Sequence, residues 1–114
     1  MLVDAHHHLW NLSEVNYPWL MEKGATRFFG DPSPIQRNYL LDEHISKLEP
    51  FKFNASVHVQ VGAKDGWQEA KWIDEIATNS RNWKIVQVAF CDLAAPDFLD
   101  QINKLSKFTS LRGV

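Results

Sequence analysis

Near its start the chain reads Val3-Asp4-Ala5-His6-His7-His8-Leu9-Trp10, and the three consecutive imidazoles are the residues best equipped for chemistry. The run from Leu2 to Leu9 begins apolar and turns polar, so it reads as a short strand whose far end carries the histidines. Alternation places Leu2, Asp4, His6 and His8 on one face and Val3, Ala5, His7 and Leu9 on the other. On such a strand His6 and His8 lie about 7 Å apart along the backbone, close enough for both rings to converge on one divalent ion. Hydrogen-bonded structural histidines, a solvated loop start or a cloning remnant are the competing readings. A tag is normally longer and does not sit between Val-Asp-Ala and Leu-Trp.

The elements that must hold these rings follow from periodicity. Trp10 to Pro34 is broken by Pro18, Gly24, Gly30 and the Asp31-Pro32-Ser33-Pro34 cluster, and reads as one long loop. Loops of that length are usually functional, and Trp10 and Trp19 either wall a pocket or simply pack beneath the loop. Asn38 to Leu48 has helical spacing and stops at Pro50; Ala55 to Val61 alternates with three valines and reads as a strand. Trp67 to Asn79 predicts a helix, Ile85 to Phe90 a strand, and Ala95-Pro96 opens a helix with apolar residues out to Phe108. Leu111-Arg112-Gly113-Val114 reads as the start of a further strand.

Strands alternating with helices imply a parallel sheet with right-handed crossovers. Strand starts recur every 27 to 29 residues from Ala55 to Leu111, near the roughly 31 of an eight-unit barrel, of which 114 residues would hold about three and a half units. The expectation is an α/β chain forming part of a (β/α)8 TIM barrel, three βα units plus the start of the fourth strand, with residues 1–114 as the truncated N-terminal portion of one domain. A small doubly wound sheet is the rival, but Gly62 and Gly66 lack the G-x-G-x-x-G spacing of its phosphate turn.

Composition limits the partners. Twelve Lys and Arg against fourteen Asp and Glu give a net charge of −2, which offers no basic field for nucleic acid or anionic membrane. One cysteine, Cys91, excludes an internal disulfide and a Cys-based zinc site, and suits a reducing compartment. No apolar run is long enough to span a bilayer and no leader pattern precedes Asp4, so a soluble, cytoplasmic protein is expected.

The stretch Val3 to Trp10, followed by Tyr17-Pro18-Trp19-Leu20, resembles the opening of the amidohydrolase superfamily, within it the amidohydrolase-related group of sugar-lactone hydrolases. Val57-His58-Val59-Gln60 is similar to that group's second strand, Val86 to Leu93 to its third, and Leu111 to Val114 to the entry of its fourth. The resemblance implies a barrel whose first-strand His-x-His holds a divalent metal, zinc being the expected ion, although some relatives work without metal and use these histidines to polarise substrate. Carried onto this chain, His6 and His8 are the ligands and His7 faces the helical layer. No catalytic residue is assigned within the chain, since the aspartate base and the later ligands lie beyond Val114. Two imidazoles cannot fill the three protein positions of a catalytic zinc site, so the fragment itself is expected to bind metal weakly and to be inactive.

The implied reaction is attack of activated water on a lactone carbonyl, with a small-molecule sugar lactone as partner. Gln60 and Trp10 are candidate substrate contacts, and so is Asp92, just after the third strand, unless it caps the following helix. Asp4 is a candidate for orienting a neighbour, His58 has no assigned face, and Cys91 reads as a small buried filler. A non-oxidative decarboxylase of the same superfamily and a non-catalytic truncated product are the alternatives.

Overall fold

A computed structural model describes residues 1–114. Four strands, β1 (Val3–His7), β2 (Ala55–Val59), β3 (Lys84–Val88) and β4 (Leu111–Gly113), pair in parallel in the order β1-β2-β3-β4. Between them lie α1 (Pro18–Met21), α2 (Leu41–Leu48), α3 (Gly66–Asn79) and α4 (Phe98–Leu105), with short 3-10 turns at Ser33–Ile35 and Glu49–Phe51.

Right-handed crossovers between sequential neighbours send successive helices to one side of a sheet. Accordingly Ile73 of α3 packs with Ile85, Trp83 and Leu9, joined by Leu41, Ile45 and Leu48 of α2. Ala70 of α3 packs with Ala89, Cys91 and Leu105 of α4. Cys91 is thus the buried filler its sequence context suggests. The opposite sheet face carries Val57, Val59, Val86 and Val88, half-buried and absent from those helical clusters.

This corrects the barrel expectation. The chain forms an open four-stranded parallel sheet with β1 and β4 as edges, and no partial barrel. Barrel closure needs eight strands with a set tilt and stagger. A repeat of 27 to 29 residues reports only that each strand is followed by one helical crossover, which any sequential parallel sheet requires.

Element boundaries shift for identifiable reasons. Asn38–Leu40 is not helical, because Tyr39 pairs with Trp10 through two backbone hydrogen bonds of 3.0 and 2.9 Å, and α2 begins only at Leu41. Ala95 and Phe98 close successive turns by donating to the carbonyls of Asp92 and Ala95, which delays α4 to Phe98. Inside the long loop, Val15, Tyr17 and Leu20 form a buried cluster rimmed by Trp10 and Trp19. The tryptophans therefore fasten the loop down. Trp19 Nε1 donates to Val61 O at 2.6 Å, tying the loop to the end of β2.

Helix α3 is capped by Asp65, whose Oδ1 accepts from Trp67 N at 3.0 Å and Gln68 N at 3.3 Å. Asp65→Ala leaves those donors to solvent and is expected to cost about 1 kcal/mol. Urea denaturation reads this as a lower midpoint with an unchanged m-value.

Candidate metal centre

β1 does not keep strict alternation. Asp4 pairs with Ser56 and His7 with His58, so three steps on β1 match two on β2. The extra residue rotates the strand end. His6 and His8 end on one side with Nε2 atoms 3.3 Å apart and ring centroids 4.9 Å apart, both rings exposed. Asp4, which alternation grouped with them, faces α2 instead, its Oδ2 being 3.3 Å from His44 Nε2. Asp4 Oδ1 also accepts from the backbone His6 N at 3.2 Å.

Two nitrogens bonded to one tetrahedral zinc at about 2.0–2.1 Å stand about 3.3–3.4 Å apart. The His6 and His8 Nε2 atoms already hold that separation. His8 Nδ1 lies 2.8 Å from Val59 O, and because a carbonyl only accepts, Nδ1 carries the proton and Nε2 is left bare. This is the usual outer-shell device for fixing a ligand imidazole. In the metal-free protein, His6 Nε2–H then donates to His8 Nε2. No third His, Cys, Asp or Glu completes a metal-holding group with them. The residues present thus fit two corners of a divalent site.

Behind this edge, on the helical side, lie the other three histidines of the chain. His7 stacks on His44 at 4.2 Å and meets His58 edge-on at 5.7 Å. Both ring nitrogens of His7 are buried without partners. Burial, and then the nearby His44 and His58 rings, push the His7 pKa down to about 2. His58 Nδ1 accepts from Leu9 N at 3.2 Å, so its Nε2 carries the proton and donates to Glu69 Oε1 at 3.2 Å. Burial lowers the His58 pKa despite the opposing pull of Glu69. His44 is lowered likewise by burial, against Asp4. The Tyr17 hydroxyl, buried without a partner, is pushed up by burial and then by Glu69.

The candidate substrate contacts each have their own hydrogen-bond partner. Gln60 sits just past β2 with its Oε1 accepting from Gly62 N at 2.7 Å. Trp10 spends its indole N–H on Arg37 O, and its ring lies 5.5 Å from that of Tyr39 at a tilt of 36°. Asp92 accepts from Ala94 N at 3.0 Å and lines a cleft of about 790 Å³ between α3 and α4 with Lys64, Trp67 and Phe90. None of the three hydrogen-bonds to His6 or His8.

His44 and Glu69 were missed from sequence, although a signal exists. His44 interrupts the apolar stripe of Leu41, Ile45 and Leu48, and Glu69 falls on the stripe of Ile73 and Ile76. A polar residue on the buried stripe of a helix needs a buried partner.

No protein-family model matches the chain, and no solved structure matches it. The uncharacterized protein y4mH of Sinorhizobium fredii is 27% identical over 115 residues, an alignment covering 99% of this chain and 38% of that protein. The chain thus spans well under half the length of this relative. No helix is long and apolar enough to cross a membrane.

Proposed function

We propose that His6 and His8 supply two ligands of a divalent metal centre, zinc by choice of donor, in a hydrolase of the amidohydrolase superfamily that opens sugar-derived lactones. The observation that carries this reading is the 3.3 Å separation of two Nε2 atoms at the C-terminal end of β1, one of them held bare by the bond from Nδ1 to Val59 O. Reactive groups of parallel α/β proteins gather at that end of the strands. In the whole protein the remaining ligands and the aspartate base come from residues outside these 114, as the chain's 38% share of its relative allows. The single free cysteine suits a cytoplasmic setting.

A lactone carbonyl is planar and becomes a tetrahedral oxyanion when water attacks. A bound divalent cation supplies polarisation of that carbonyl and brings the pKa of a bound water towards about 7. This chain's residues do the positioning. His8 is oriented by Val59 O, and His6 completes the pair across 3.3 Å. Gln60, whose Oε1 accepts from Gly62 N, donates its Nε2 to a substrate hydroxyl. The Trp10 ring, its N–H spent, offers only an apolar surface.

The test is an assay of the zinc-loaded whole protein against aldonolactones, following acid release with a pH indicator. Acid released from lactones is the expected result. Carbon dioxide released from aromatic acids, with lactones untouched, would make the protein a decarboxylase. Turnover of neither class would remove the hydrolase reading.

A further inference from the structure

We infer that Glu69 is a positioning residue for the His6–His8 pair, acting through His58 and the end of β2. This rests on the metal-centre reading for its functional meaning.

One buried oxygen governs both handles on His8. Glu69 Oε1 accepts from Val61 N at 2.8 Å and from His58 Nε2 at 3.2 Å. Val61 lies two residues past Val59, whose carbonyl fixes the His8 ring through Nδ1. His58 Nδ1 accepts from the backbone N–H of Leu9, the residue directly after His8. Only the His58 tautomer with Nδ1 bare can accept that bond, and an acceptor-only carboxylate at Nε2 enforces it. Glu69 is 2% exposed and His58 1%, and Glu69 Oε2 has no partner. Burying a carboxylate with one oxygen unpaired is unfavourable, so packing alone does not account for glutamate on the Ile73 stripe of α3. Holding the His58 tautomer and the Val61 backbone N–H at the end of β2 does.

The experiment is imidazole nitrogen–proton correlation NMR on the metal-free protein, in the wild type and in Glu69→Gln, Glu69→Leu and Leu105→Ala. Leu105, at the end of α4, is buried with Ala70 of α3 and serves as a destabilised control outside the network. The wild type is expected to show His58 protonated on Nε2 and His8 on Nδ1. Glu69→Gln keeps both forms, because an amide oxygen still accepts both bonds. Glu69→Leu turns His8 into a tautomer mixture, and Leu105→Ala leaves it unchanged. Zinc affinity follows, falling 10- to 100-fold in Glu69→Leu and by less than threefold in Glu69→Gln.

An unchanged His8 tautomer in folded Glu69→Leu overturns the inference. So does a wild-type His58 protonated on Nδ1 or a wild-type His8 protonated on Nε2, which decides the matter even where Glu69→Leu does not fold. Tautomers that shift as expected in a protein that binds no zinc leave Glu69 in its role and remove the metal centre. Zinc binding by the wild type with tautomers indifferent to Glu69 does the reverse.

Discussion

Lowering the pH from 7 to 5 destabilises the fold by about 2 kcal/mol through His7 alone, and His44 and His58 add to the loss in the same direction. His7 has a folded pKa of about 2 against 6.5 in the unfolded chain. The unfolded state therefore binds more protons below pH 6.5, and stability that is full above that value drains away as the pH falls towards 2. The cause is burial, since His7 is 6% exposed with neither nitrogen bonded. Single domains hold only about 5–15 kcal/mol in all, so loss of cooperative structure near pH 5 to 4 is expected. Urea unfolding at pH 7, 6 and 5 measures it. His7→Leu fills the same buried site without a titrating group and should flatten the profile by about 2 kcal/mol over that range. A stability independent of pH between 7 and 5 would mean that these rings are hydrated in solution.

Alanine at His6 or His8 should lower zinc affinity by at least about 100-fold, near 2.8 kcal/mol. Partners that merely orient a ligand are already worth about 10- to 100-fold, and these two rings are the ligands themselves. Both rings are exposed and neither joins a core cluster, so thermal stability without zinc should change little in either variant. His7→Leu gives the opposite pattern, with near-normal affinity and altered acid stability. Calorimetric titration with zinc beside metal-free melting separates the two cases. Equal affinity in wild type and His8→Ala would show that zinc binds elsewhere.

The contrast between His6, His7 and His8 was partly legible. A two-residue spacing on a strand puts two rings together whatever the fold, so the His6–His8 pair followed from backbone geometry. Asp4 did not, because the extra residue in β1 arises from pairing with β2, and no local pattern in Val3–His7 announces it. The helix expected from Asn38 began three residues late for a similar reason, a long-range pairing of Tyr39 with Trp10. Parallel strands with helical crossovers could be read from periodicity, whereas barrel or open sheet depends on strand closure, which a repeat length does not encode. The buried network of His7, His44, His58 and Glu69 joins residues as much as 62 positions apart. Only the polar interruptions at His44 and Glu69 on apolar stripes pointed to it.

Titration of the protein with paramagnetic cobalt(II), followed through the imidazole nitrogen resonances of all five histidines, tests most directly whether two rings share one ion. Broadening that begins at His6 and His8 Nε2 and saturates at one equivalent, with His7, His44 and His58 affected only later, is the predicted result. Broadening that begins at His44 or His58, or that spreads evenly over every ring, would contradict it.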